Sequence, residues 1–352
     1  MDKTDKILVV GNTKHPIYVL AFYNAFVQLG YEAVEVFNSS IITDYEKKGK
    51  TMSIGVKIQN KYNVGPLVRK KNLELVNKCI DMRPNLVFLY QGINIFPSTI
   101  RRIKQETGAV VFSYNNDDPF AMFYPFYHWR HYKRSLKVCD YNFVYRQKNV
   151  QDIKAKYGIE TEIIRSYYLD DKNYPILEEE KIKTPEVIFL GHYEDDERGE
   201  YIKALLEKGL KVGVPSEHFK RFQTLGEGIV SLSNERRDYN KYLASCKIPL
   251  IFLSKINHDT YTRRCFEIPA AEAFILSPYT EDMSSMYEEN KEAVYYRDKV
   301  DFVNKVFYYL EHNEDREKIA RQGRERLLKD GHEVKDRVKQ IIQKYDELKS
   351  ED

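Results

Sequence analysis

The stretch Asp259-Thr260-Tyr261-Thr262-Arg263-Arg264-Cys265-Phe266-Glu267-Ile268-Pro269-Ala270-Ala271-Glu272-Ala273-Phe274 is the most informative part of this 352-residue chain. It sets two carboxylates, Asp259 and Glu267, eight positions apart across a segment that can open a helix. It then runs into an apolar strand, Phe274–Leu276, and an acidic turn and helix ending at Glu288-Glu289-Asn290. In parallel α/β sheets, ligands sit outside the carboxyl ends of the strands, where helix starts offer N–H groups to anions. Carboxylates on such a loop and helix start suit the hydroxyls of a ribose or sugar, while the N–H groups face a phosphate. The segment therefore predicts a parallel α/β fold with a nucleotide-sugar type of pocket.

The rest of the chain alternates short apolar runs with longer amphipathic segments, which argues α/β architecture with parallel sheets. Lys6–Gly11 reads as a first strand breaking into a loop, His15–Leu29 as a helix and Ala33–Phe37 as a second strand. Residues 39–64 read as polar and irregular. Pro66 can open a helix through Asp81, because its missing N–H costs nothing at a helix start. Asn85–Tyr90, Ala109–Tyr114 and Tyr141–Tyr145 read as further strands, with Glu162–Tyr168 closing the first sheet. A second alternation starts at Val187–Gly191. It continues through helices near Tyr201–Lys208 and Arg237–Cys246 and strands at Leu210–Val214, Pro249–Leu253, Phe274–Leu276 and Ala293–Tyr296. From Asp301 to Leu348 the chain is mostly helical.

A chain of this length is long for one core, so two domains are the natural expectation. The boundaries read as 1–172 for the first domain, a linker at 173–185 rich in Pro and acidic residues, 186–331 for the second, and a terminal helix at 332–352. With 42% hydrophobic and 31% charged residues the composition is that of a soluble globular protein. No apolar run approaches the roughly 18–20 residues that cross a bilayer, and the first residues lack a signal-peptide pattern. The four cysteines, Cys79, Cys139, Cys246 and Cys265, show neither metal-ligand nor redox spacing, and the expectation is reduced thiols in a cytoplasmic protein. Charge is uneven: residues 1–175 carry 26 Lys and Arg against 17 Asp and Glu, and the remainder 30 against 36. A basic first half favours an anionic acceptor or the inner face of an anionic membrane; a solvated basic surface is the plainer alternative. No nucleic-acid motif is present.

Arg264-Cys265-Phe266-Glu267-Ile268-Pro269-Ala270, Lys291-Glu292-Ala293-Val294-Tyr295-Tyr296, Tyr309-Leu310-Glu311-His312, Arg316 and Ala320…Gly323 together resemble the signature of the CgeB-like glycosyltransferases. The resemblance is dense from about Val187 to Leu328. It implies the GT-B fold, two Rossmann-like domains with parallel sheets facing across a cleft, and a last helix crossing back to the first domain. The expectation is a donor-binding second domain and an acceptor-binding first domain; cationic side chains and helix N-termini can stabilise the leaving group without a metal, and no cofactor is expected beyond the nucleoside-diphosphate sugar itself. Glycan, lipid-linked or protein acceptors in bacterial surface-polysaccharide or coat glycosylation are what such a family suggests.

Individual residues follow from position and resemblance together. The family's paired glutamates, with seven residues between them, are matched by Asp259 and Glu267, with Glu267 on the ribose and the shorter Asp259 near the sugar ring; this spacing implies retention. Ile268 and Pro269 accompany Glu267 on the nucleotide side. Glu272 stands where the family often has glycine. Gly191 and His192 end the first strand of the second half, where a glycine lets backbone approach a diphosphate. Arg198, Arg263 and Arg264 are the candidate phosphate cations, and pairing of Arg198 with its acidic neighbours is the alternative. On the acceptor side stand Asp117 and Asp118, in Tyr114-Asn115-Asn116-Asp117-Asp118-Pro119, as orienting group or base, with an Asp-Pro turn as the alternative. His15 is a further candidate, against a helix-start histidine with no chemical task. Phe120–Lys137 mixes aromatic and basic residues and reads either as an acceptor or membrane patch or as a buried helix with a basic outer face. Two rivals share these features: a nucleotide-sugar epimerase of the same fold, and a non-catalytic nucleotide- or carbohydrate-binding protein.

Overall fold

The computed structural model describes residues 1–47, 49, 51–233 and 238–351, which form two compact units. The first comprises Met1–Arg165 and the final helix; the second is Ser166–Glu333.

In the first unit, β1 (Lys6–Gly11), α1 (Val19–Gln28) and β2 (Ala33–Asn38) are followed by three helices, α2 (Ile41–Lys47), α3 (Ile54–Tyr62) and α4 (Pro66–Met82). Then come β3 (Leu86–Tyr90), α5 (Pro97–Thr107), β4 (Val110–Asn115), α6 (Arg130–Ser135), β5 (Tyr141–Val144), α7 (Gln147–Tyr157) and β6 (Glu162–Ile163). The six strands form one parallel sheet in the order β2-β1-β3-β4-β5-β6. Ile7, Leu8, Val9 and Val10 in β1 and Leu86, Val87 and Phe88 in β3 are all fully buried, as strands covered on both faces must be. Strand order reverses between β1 and β3, which makes the loops after these two strands the natural ligand position of this unit.

Residues 39–64 are not irregular as expected. They form α2 and α3, because short polar side chains cap both: the Ser40 hydroxyl accepts from Thr43 N–H and the Ser53 hydroxyl from Val56 N–H. Ile41, Val56 and Val68 then pack as a small apolar cluster.

The second unit runs β7 (Val187–Ile188), α8 (Arg198–Glu207), β8 (Val212–Pro215), α9 (Phe219–Phe222), β9 (Ile229–Leu232), α10 (Tyr239–Ser245), β10 (Ile248–Pro249) and α11 (Arg264–Ala270). It continues through β11 (Leu276–Pro278), α12 (Glu281–Met286), β12 (Val294–Tyr296), α13 (Lys299–Glu311) and α14 (Asn313–Lys329). The helix expected near Arg237–Cys246 is α10; its expected first residue, Arg237, lies outside the described residues. β10, β7, β8 and β9 form a parallel sheet in that order, and a parallel bridge from Leu250 to Leu276 sets the β11–β12 pair beside it. Counted from β7, the order is 3-2-1-4-5-6, the dinucleotide-binding arrangement, with its switch point between β7 and β10.

The segment expected as a linker, 173–185, is pinned to the second unit. Asn240 exchanges two hydrogen bonds with the Tyr174 backbone, and the Ser245 hydroxyl accepts from Ile182 N–H. The last helix, α15 (Val334–Glu351), packs on α1 of the first unit, where Arg337 donates to the Arg165 carbonyl and Lys344 pairs with Glu162. No helix among the described residues is long and apolar enough to cross a membrane.

Candidate functional site

The second unit's site is built on α11, a helix of seven residues with a proline inside it. Pro269 has no N–H for the Cys265 carbonyl four residues earlier. The Tyr287 hydroxyl supplies the missing donor at 3.0 Å, so the buried carbonyl stays satisfied. The helix closes through exposed Glu272 at φ +55, the left-handed conformation that glycine adopts without cost. The position where the resembled family often has glycine is thus a left-handed helix terminus in this chain, occupied by a strained glutamate.

Glu267 lies on the first turn of α11 and is 7% exposed. One carboxylate oxygen accepts from Tyr239 Oη at 2.8 Å and the other from Arg263 Nε at 2.6 Å. Arg263 in turn lies over the Tyr167 ring, 4.6 Å from its centroid. Burial, and then the Glu267 charge, push the Tyr239 phenol well above its ordinary pKa, so it stays a donor. Ile268 and Pro269 point into the core; Ile268 is fully buried.

Gly191 follows β7, and its lack of a side chain decides the neighbourhood. A Cβ there would stand 2.4 Å from both an Arg264 terminal nitrogen and the Phe189 ring. Arg264 is anchored by Nε to the Leu190 carbonyl at 2.8 Å; among the described residues its terminal nitrogens take no hydrogen-bond partner. Arg198 is different. It is 4% exposed, forks onto both oxygens of Asp196 at 2.7 and 2.8 Å, pairs with Glu194 at 3.0 Å and donates to the His192 carbonyl at 2.7 Å. It holds the 192–197 loop in shape and has little left to offer a ligand.

The loops after β7 and β10 meet through Glu194, a residue that sequence reasoning did not single out. Its carboxylate accepts from the Ser254 hydroxyl at 3.0 Å. Burial raises its pKa, Arg198 and Ser254 oppose the rise, and Asp196 and Asp259 add to it. Asp259 is half-buried in the β10 loop, where its N–H donates to the Ser254 carbonyl at 2.9 Å. The loop's partly buried position was the one signal that could have marked Glu194, and that is absent from sequence.

His192 is exposed on the same loop, and its Nδ1 lies 2.8 Å from Nε2 of His218. Partial desolvation by its neighbours, then His218 and Arg264, lower its pKa, favouring the neutral ring. With Glu217 these two histidines bring three ligand atoms within 4.8 Å of one another, the only such grouping found among the described residues. Its donor set suits a divalent cation.

In the first unit, the end of β4 carries Asn115, Asn116, Asp117 and Asp118. Asp118 is fully buried and accepts from Phe120 N–H at 2.9 Å and Asn149 Nδ2 at 2.8 Å, with Lys148 at 3.5 Å. This is the Asp-Pro turn, locked from inside. Asp117 is half-buried and accepts from Gln91 Nε2 at 2.8 Å. Gln91 follows β3 at φ +64, a conformation disfavoured for a side chain of its size, and also donates to Asn116 at 3.0 Å. Sequence reasoning missed Gln91; a polar Gln-Gly pair directly after an apolar strand was the available signal. His15 is exposed in the loop after β1, four residues before α1 begins, and not at a helix start. Phe120–Lys137 divides: Trp129 and Tyr132 are buried, whereas Met122 and Phe126 stand out at 99% and 86% exposure.

Residues 202–343 match a family model described as glycosyl transferase-like. No curated protein matches the chain in sequence. Sucrose-phosphate synthase from Thermosynechococcus elongatus has a similar structure, with a TM-score of 0.71 at 10% identity over 99% of this chain and 100% of that one. HepE from Anabaena, solved with UDP and glucose, gives 0.68 at 11% identity over 97% and 100%. A Listeria monocytogenes protein assigned as a UDP-N-acetylglucosamine 2-epimerase gives 0.56 at 12% identity over 96% and 95%. At these identities the likeness establishes the fold, which is GT-B. The family match covers residues 202–343, in the second unit and the final helix, and describes that segment as glycosyl transferase-like.

Proposed function

We propose that the second unit binds a nucleoside-diphosphate sugar and that the enzyme transfers its sugar to a glycan, lipid-linked or protein acceptor taken by the first unit. The observation that carries the donor half is the pairing at one switch point of a braced carboxylate, Glu267, with an arginine fork, Arg264, whose terminal nitrogens lie beside Gly191. A carboxylate fixed by two donors is preorganised to accept ribose hydroxyls, and the guanidinium matches diphosphate oxygens. In the transfer an acceptor oxygen attacks the anomeric carbon on the face that the diphosphate leaves, the bond to the diphosphate oxygen breaks, and the acceptor's proton passes to the departing diphosphate. Cationic side chains stabilise the departing nucleotide, so no metal is required in this reading. Asp117, held by Gln91, is the acceptor-side candidate that remains half-open to solvent, and His15 stands in the loop after β1, two strands away in the sheet. The Asp259/Glu267 spacing supports retention, and the CgeB-like residues support surface-polysaccharide or coat glycosylation at the cytoplasmic side of an anionic membrane.

The test is a thermal-shift panel of UDP-, GDP-, CDP-, TDP- and ADP-sugars and their free nucleotides, with and without EDTA. Stabilisation by one nucleotide family, unchanged by EDTA, is the expected result. HepE, a fold neighbour, was solved with UDP and glucose, which makes UDP-glucose the first donor to try. No shift at concentrations well above millimolar overturns the donor site. The likeness to an epimerase of the same fold favours a second reading, in which the UDP-sugar is converted with no acceptor present. Turnover that depends on added acceptor excludes it.

A further inference from the structure

Two stretches of the first unit combine outward-facing apolar side chains with a single sign of charge. Residues 51–70 and 119–139 hold eight Lys and Arg and no Asp or Glu. Along α3, Ile54, Ile58 and Tyr62 recur at every fourth position and are 77%, 51% and 38% exposed, while Val56 faces inward. A helix serving only its own core would turn that stripe the other way. At 1.5 Å per residue the stripe is about 12 Å long, and Lys57 and Lys61 flank it.

The C-terminal end of α3 abuts the second stretch. The Tyr62 and Tyr127 rings lie 4.7 Å apart, Arg130 donates to the Tyr62 carbonyl at 2.6 Å, and His131 meets the Asn63 carbonyl at 2.9 Å. From this junction Met122, Phe123 and Phe126 project at 99%, 67% and 86% exposure. Buried Trp129 and Tyr132 and the Asp118 turn hold the segment from beneath.

Exposed apolar side chains normally occur singly; a cluster of this kind marks an interaction surface. The chemistry of its surroundings selects the partner. Protein interfaces are depleted of lysine, whereas Lys57 and Lys61 lie on α3 beside the stripe, Arg130 sits at its end, and Lys133, Arg134 and Lys137 follow in the second stretch. Rings and aliphatic tips that enter the headgroup boundary, among cations that reach lipid phosphates, are the composition of an interfacial surface.

We propose that this face, formed by α3 and the Met122–Phe126 turn, docks the enzyme onto an anionic lipid bilayer. The inference rests on the membrane side of the functional reading and is independent of the donor site. Co-sedimentation with phosphatidylcholine vesicles, with and without phosphatidylglycerol, tests it in the full chain. Binding is expected only to the anionic vesicles and weakens with salt. Phe123→Ser/Phe126→Ser and Lys57→Glu/Lys61→Glu should each weaken it at least about tenfold, with unchanged thermal unfolding and unchanged UDP-glucose hydrolysis. Absence of vesicle binding overturns the proposal, as does binding that both variants retain. Conversion of a dimer to a monomer by either variant, without vesicle binding, assigns the face to a second copy of the chain and overturns it too. Docking without donor turnover, or turnover without docking, shows which of the two readings has failed.

Discussion

At the switch point of the second unit, Glu267 divides its two oxygens between Tyr239 and Arg263, and the Arg264 fork beside it stays open among the described residues. At the end of β4 in the first unit, Asp118 is wholly buried, with its oxygens engaged by a backbone N–H, an asparagine and a lysine. Both carboxylates stand where ligands of parallel sheets bind, and in sequence they look equally promising. They differ in what their surroundings leave over. Arg198 and Arg264 repeat the contrast: one has spent its guanidinium on three loop groups, the other is anchored by a single nitrogen. A functional charge is held firmly from one side and left open on the other; a structural charge is satisfied on all sides.

The largest expected effects fall on the satisfied charges. Asp118→Ala and Arg198→Ala each break a buried ionic network and should cost about 3–5 kcal/mol of stability, read by urea unfolding. Asp118→Ala with wild-type stability and lost transfer would instead return Asp118 to the acceptor site and erase the contrast. Arg264→Ala should change stability by less than about 1 kcal/mol and weaken UDP-sugar binding by about 1.5–3 kcal/mol, the range of a charged hydrogen bond. Calorimetric titration sharpens the comparison here, because equal losses of affinity in folded Arg198→Ala and Arg264→Ala would mean that both arginines touch the ligand.

Smaller effects test the frame of α11. Tyr287→Phe leaves the Cys265 carbonyl without its donor and should cost about 1–3 kcal/mol of stability. Glu272→Gly relieves a left-handed residue at the cost of chain entropy, and a net gain of about 0.5–1 kcal/mol is expected from thermal unfolding. A loss in Glu272→Gly would mean that the glutamate side chain has a task of its own.

Much of this was readable in the residues. The buried strands announce themselves as apolar runs, Pro66 opens α4, and Gly191 marks a close approach. Other features depend on partners far away in sequence. Pro269 argues against a helix until Tyr287, eighteen positions later, replaces the lost donor. α2 and α3 are short, and their stabilisation comes from serine caps and one small apolar cluster, so a polar composition hides them. Gln91 offers the sequence only a Gln-Gly pair after an apolar strand, and its left-handed backbone and its bonds to Asn116 and Asp117 are what reveal it.

Glu267 is the residue proposed to receive the nucleotide of the donor. Calorimetric titration of UDP into the wild-type protein and folded Glu267→Ala tests it most directly. Saturable binding is expected, weaker by about 1.5–3 kcal/mol, roughly 10- to 150-fold, in the variant. Equal affinity in the two proteins would contradict it.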